Sequence, residues 1–446
     1  MDFIPHTPED DREMLEAIGL GSLDDLFESV PEAVRVGRLL DVPESLSEIE
    51  LAGHMAELAG KSSGAGLVCF AGGGAYDHYV PAAVRALASR GEFATSYTPY
   101  QPELSQGVLQ ALYEFQTMVC ELYGMEVANA SLYDGANALV EGVNLAARST
   151  TRELVFVAET VHPHYVEVLR TYTSGLGLDV RMLPRTDGGT IEWGSHDLTG
   201  AAAVVVQSPS FFGLLEDGRA AAEAAHAAGA LLIAVSDPTA MGLLEAPGAL
   251  GADVAVGEGQ ALGNSLSFGG PYVGLFATKL ALVRQVPGRI AGATVDADGR
   301  RAYVLTLQAR EQHIRRARAT SNVCTNQTLM AIAATIYLSW LGPEGLRRLG
   351  ELCVKRAALA AERLGALPGC RLAFDGPRFK ELVLETPLDG RDLAKRLARR
   401  GYLTGPALGR HYPGLERSLI VAVTERRTAA EVEGLAEAIE KELAEG

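Results

Sequence analysis

Short apolar runs alternate with amphipathic stretches through most of this chain. The runs 154–158, 180–183, 202–206, 231–235, 254–256 and 272–277 are continuous rather than alternating, the pattern of strands covered on both faces. Helical stretches such as 217–228 separate them, so the middle of the chain predicts a parallel or mixed sheet between helices. The first 60 residues predict amphipathic helices, opened by Thr7 with Glu9, Asp10 and Asp11 and by Ser22-Leu23-Asp24-Asp25. An arm wrapping a partner subunit and a packed helical subdomain both have this pattern. After Gly342-Pro343, a helix over 344–364, strands 371–374 and 381–385, a helix 392–400, a strand 419–423 and a helix beyond Thr428 predict a smaller α+β domain. The expected division is a helical segment 1–60, a large α/β domain 61–342 and a small domain 343–446.

Composition narrows the partners. With 446 residues, 48% hydrophobic and 21% charged, the chain has ordinary globular composition. Its 56 acidic against 39 basic residues leave a net charge of -17, which repels nucleic-acid backbones and anionic lipid. Five cysteines lack any C-x-x-C spacing, so neither a disulfide framework nor a metal site is expected. The N-terminus has no basic region or signal-length apolar run, and no apolar run reaches the ~20 residues a bilayer needs, so no membrane association and a cytoplasmic location are expected.

Candidate chemistry gathers where strands end. Asp134-Gly135-Ala136-Asn137 lies between a strand and a helix, where free amides can hold phosphate, although most such Asp-Gly turns are plain capping. Strand 231–235 ends in Ser236-Asp237-Pro238-Thr239, which puts a carboxylate at the ligand-binding edge of an α/β sheet. In pyridoxal-phosphate (PLP) enzymes of the aspartate-aminotransferase fold, such an aspartate meets the pyridine nitrogen, and a Schiff-base lysine follows it. Here the following segment, Gly257-Glu258-Gly259-Gln260 to Asn264, has no lysine, and none occurs between Lys61 and Lys279. Lys279 itself is expected to be a solvated strand-end residue. His162-Pro163-His164 follows strand 154–158 at the same edge, where a ring could stack near a cofactor or simply sit satisfied at the surface. The loop Tyr97-Thr98-Pro99-Tyr100-Gln101-Pro102-Glu103 to Gly107 sets two tyrosines, polar side chains and two stiffening prolines together. Tyr76-Asp77-His78 follows a glycine turn, and Thr320-Ser321-Asn322-Val323-Cys324-Thr325 puts hydroxyls and amides before a helix.

Four strings, Gly73 to Pro81, Tyr97 to Gly107, Leu132 to Ala136 and Ala319 to Gln327, together resemble glycine decarboxylase, the P protein of the glycine cleavage system. The likeness spans essentially the whole chain and is narrowest to the subunit 1 (α) type of the two-chain form. It implies a PLP-transferase fold type I large domain with a smaller C-terminal α+β domain. It also implies PLP-dependent loss of CO2 from glycine, with transfer of the aminomethyl group to the lipoyl arm of H protein. Partnership with subunit 2 (β) in an α2β2 assembly is implied as well, with the PLP lysine on that partner and none in this chain. Carried over residue by residue, Tyr97, Tyr100, Gln101 and Glu103 are expected at a shared pocket, with Tyr76 and His78 as further candidates. Thr320, Ser321, Asn322 and Thr325 are expected near the partner's cofactor phosphate. Asn137 departs from the hydroxyl residue usual after this turn, so 135–137 is expected to be a relic and Asp237 to meet no pyridinium. Two other assignments stay open: a structural or regulatory partner of subunit 2, and a self-sufficient PLP enzyme using Lys279.

Overall fold

A computed structural model of the chain describes residues 5–95 and 97–445. Two compact units divide it, Met1–Ser63 and Gly64–Gly446. In the first, Thr7 accepts from the Asp10 amide while Asp10 returns a bond to the Thr7 amide, and this reciprocal cap starts the helix Pro8–Ala17. Ser47 and Glu50 do the same for Glu48–Gly60. Ser22 and Asp25 form a similar pair over a single 3-10 turn, Leu23–Phe27, where the sequence predicted a longer helix.

The second unit is built on a seven-stranded sheet. Its strands are β1 (Val127–Ala128), β2 (Leu154–Ala158), β3 (Asp179–Leu183), β4 (Ala201–Gln207), β5 (Leu231–Val235), β6 (Val254–Glu258) and β7 (Gly274–Thr278). They lie in the order β1-β7-β6-β5-β4-β2-β3, with β7 antiparallel to both its neighbours and all other pairs parallel. Ala201 to Val206 are fully or nearly fully buried along β4, as the continuous apolar run predicted. Helices α1 (Gln106–Tyr123), α2 (Gly135–Thr150), α3 (Pro163–Ser174) and α4 (Gly218–Ala227) cover the sheet. Gly142 of α2 lies where a side chain would meet Ile233 and Val254, so this helix packs close on β5 and β6.

Helix α5 (Thr328–Gly365) is broken at Gly342, whose backbone is left-handed, so the predicted helix after Pro343 is the second half of a longer element. Beyond it β8 (Arg371–Leu372), β9 (Glu381–Glu385) and β10 (Ser418–Ala422) form an antiparallel sheet. Phe211, Phe212 and Leu214, from the loop after β4, pack with Phe374, Val383 and Ile420 of this smaller sheet. That contact carries the start of β9 to the edge where β2, β4, β5 and β6 end. An antiparallel hairpin, Ile290–Val295 with Arg301–Thr306, has no counterpart in the expected elements.

Candidate active site

Lys380, the residue before β9, is 1% exposed and reaches Asp237 at the end of β5. Its ammonium has three acceptors: Asp237 Oδ2 at 2.6 Å, His78 Nε2 at 3.0 Å and Thr239 Oγ1 at 3.2 Å. It also lies 3.5 Å from the centre of the Tyr76 ring. All three N–H bonds are therefore satisfied, the condition under which a buried ammonium is tolerated. Burial alone would raise the Asp237 carboxyl, but Lys380 and Thr239 hold it below its ordinary range. An ammonium only donates, so His78 Nε2 accepts, and its Nδ1 proton faces Glu425 Oε2 at 2.6 Å. Burial and the neighbouring ammonium push His78 below its usual value, which keeps it neutral.

Next along β9, Glu381 accepts from the Tyr76 hydroxyl at 2.8 Å and the Gly73 amide at 2.7 Å. Burial lifts its carboxyl to about 7 despite those donors and Lys380. His78, Cys353 and Glu425 bring potential ligand atoms within 4.8 Å of one another, yet the cation at this cluster is already a side chain, Lys380.

The remaining walls converge on the same place. Asp134 caps α2 by accepting from the Asn137 amide, and the Gly135 amide donates to Glu258 Oε2 at 3.0 Å. Glu258 ends β6 and takes two further backbone amides, of Gln260 and Val273, on Oε1. Burial raises its carboxyl to about 8 although these three amides oppose the shift. The Tyr165 ring stacks on His162 at 4.8 Å and 15°. Its hydroxyl lies 2.2 Å from where a side chain on Gly135 would begin, against the first turn of α2. His162 Nε2 donates to the Gly73 carbonyl while Nδ1 accepts from the His164 amide, and burial lowers the ring to about 4. The cavity left among Tyr76, His162, Tyr165, Asp237, Glu258 and Lys380 measures about 40 Å³. That is room for a water or two, whereas ligand sites run from roughly 300 Å³ upward. A phosphorylated pyridine does not fit here.

The structure separates the sequence candidates into two groups. Tyr76 and His78 are buried in the Lys380 cluster, where the Tyr76 hydroxyl donates to Glu381 and the His78 ring faces Glu425. Tyr97, Tyr100, Gln101 and Glu103 are exposed, Tyr97 by 79%. Tyr100 is tied to the hydroxyl-rich segment through buried Arg289, which donates to the Tyr100 hydroxyl at 3.0 Å, Thr325 Oγ1 at 3.1 Å and Asn326 Oδ1 at 3.3 Å. Thr320, Ser321 and Asn322 line a cleft of about 620 Å³ with Glu141 and Arg148. Burial raises Glu141 to about 7, with Ser321 and Arg148 pulling the other way.

Lys279 pairs with Asp253 at 2.5 Å beside the start of β6. That edge is opposite the one holding Asp237, so Lys279 is no substitute for the missing lysine. Asp237, expected to meet no pyridinium, meets the Lys380 ammonium. Lys380, Glu425, Tyr165 and Arg289 were not found from sequence. The signal available for Lys380 was a lone lysine opening the apolar run of β9, but its partner His78 is 302 residues away and Asp237 also lies in another domain-sized stretch.

Residues 1–439 match the family model described as Glycine cleavage system P-protein. A "Probable glycine dehydrogenase (decarboxylating) subunit 1" of Moorella thermoacetica is 50% identical over 446 residues, covering 100% of both chains. A crystal structure of glycine decarboxylase (P-protein) of the glycine cleavage system, in inhibitor-bound form, matches with a TM-score of 0.92 at 47% identity over 99% of this chain and 100% of that one. A glutamate decarboxylase of Lactobacillus brevis, 12% identical with a TM-score of 0.68 over 94% of this chain and 97% of that one, shares the fold, PLP fold type I.

Proposed function

The chain belongs to the glycine cleavage system P-protein family, and from that premise we propose that it is the lysine-less subunit of glycine dehydrogenase (decarboxylating). In this reading it joins a second subunit, in an α2β2 assembly, that carries PLP on its own lysine. The reaction breaks the bond between the glycine α-carbon and its carboxylate. The aminomethyl group passes to one sulfur of the lipoyl disulfide of H protein, the other sulfur gains a proton, and the electron pair of the broken bond reduces the disulfide. Bound PLP supplies the electron sink for CO2 loss.

The observation that carries the proposal is the contrast between the two candidate groups. This chain's own cleft retains about 40 Å³, while Tyr97, Gln101 and Glu103 stand exposed on a loop stiffened by Pro99 and Pro102. In the assembly the tyrosine rings exclude water from the partner's site, and their hydroxyls, with Gln101 and Glu103, orient the amino acid. Thr320, Ser321, Asn322 and Thr325 offer hydroxyl and amide donors to the partner's cofactor phosphate. Arg289 fixes the register between the two segments.

Alanine at Tyr97 or Glu103, in an assembled complex, is expected to lower kcat/KM for glycine about tenfold or more, equivalent to about 1.4 kcal/mol of transition-state binding. An unchanged kcat/KM with the complex intact would assign this chain a purely structural or regulatory role.

A further inference from the structure

Three side chains fill the sheet edge at the places where a phosphorylated pyridine would present its three parts. A cation meets Asp237, an aromatic ring lies on His162, and an oxygen-bearing group takes the amide at the start of α2. Here the cation is the Lys380 ammonium, the ring is Tyr165, and the oxygens are those of Glu258 beside the Tyr165 hydroxyl. We propose that Lys380, Tyr165 and Glu258 are built-in stand-ins for the cofactor, so that this chain folds around its own side chains and excludes PLP. This goes beyond the shared-site proposal and does not depend on any partner.

Bond accounting supports it. An aspartate at the end of β5, behind this little open space, would be a buried charge without a counter-ion once the pyridinium is gone. Lys380 neutralises it, and Thr239 and His78 take the two remaining N–H bonds, so the swap leaves no donor unpaired. The free amide of Gly135 at the helix start likewise has an acceptor in Glu258. The stacked pair His162–Tyr165 keeps the histidine flat against a ring, with both its nitrogens already committed to backbone. Lys380 cannot serve as a Schiff-base residue in this arrangement: its nitrogen holds three partners, one of them the Asp237 carboxylate that would face a pyridine nitrogen.

Two measurements on the full chain alone test this. In thermal unfolding, Lys380→Met leaves the Asp237 carboxylate buried and unpaired, and Tm is expected to fall by about 5 °C or more. Adding Asp237→Asn to Lys380→Met is expected to restore at least half of that loss. A single variant that fails to fold beside a double variant that folds also supports the proposal. No fall in the single variant, no recovery in the double variant, or a double variant that also fails to fold overturns it. In equilibrium dialysis against pyridoxamine 5′-phosphate, which forms no Schiff base with surface lysines, the unmodified chain is expected to show no saturable uptake up to millimolar ligand. Saturable uptake of one molecule per chain overturns it. Neither measurement reads glycine turnover, so failure here is separate from failure of the proposed function.

Discussion

Replacing Gly213 by alanine is expected to destabilise the chain by about 4 kcal/mol or more, read from urea unfolding. Gly213 closes the turn after Ser210, with its amide donating to the Ser210 carbonyl and its φ at +81°. Its own carbonyl accepts from the Phe379 amide, which fixes the approach of β9. A Cβ there would lie 2.3 Å from the Glu381 carbonyl oxygen and 2.7 Å from its carbon. Those are backbone atoms, so no rotamer change relieves the clash; β9 must move, and Lys380 and Glu381 with it. A left-handed φ alone costs roughly 1–2 kcal/mol. Gly200→Ala isolates that part, because Gly200 also has positive φ, at +80°, but open space around it. Equal losses at the two positions would contradict the close approach that delivers Lys380 to Asp237.

The second large effect is a pH dependence set by Glu381. Burial raises its folded-state value from an ordinary 4.5 to about 7. The folded chain then holds a proton that the unfolded chain releases, so this group's contribution is complete below pH 4.5 and is lost as pH rises toward 7. At 1.36 kcal/mol per unit the loss is about 3 kcal/mol, and Glu258, raised to about 8, extends the decline further. His78 works in the opposite sense: lowered by burial, it costs stability as pH falls below 6.5. Glu381→Gln keeps an acceptor for Tyr76 and Gly73 but does not ionise. Relative to the unmodified chain it is expected to gain about 3 kcal/mol between pH 5 and pH 8 in urea unfolding. A gap that stays constant across that range would show that Glu381 does not carry the titration.

The sheet was legible because its physics is local. Strands β2 and β5 occupy the residues their apolar runs predicted, since a strand buried on both faces needs unbroken apolar side chains. The Asp134 cap and Asp237 at the end of β5 could be read for the same reason, each being set by its immediate neighbours. The hairpin 290–306 could not: after Ala291 its first strand is progressively exposed and contains Gly292, so neither alternation nor a continuous apolar run marks it.

The site was legible in its residue types and not in its pairings. Tyr100 and Arg289 are 189 residues apart, and Tyr76 and Glu381 are 305 apart, and nothing in local spacing reports such contacts. Tyr76 and His78 sit in a buried counter-ion network, and such networks draw on the same side chains as substrate sites. No lysine follows Asp237 in sequence before Lys279. The lysine that meets Asp237 arrives from the smaller sheet.

The most direct test of the central claim is the exchange of labelled bicarbonate into glycine in the presence of lipoylated H protein. It is measured with this chain alone, with the subunit 2 partner alone, and with the two mixed. Exchange is expected in the mixture and none with this chain by itself. Exchange by this chain alone, with PLP and H protein but no partner, would contradict it.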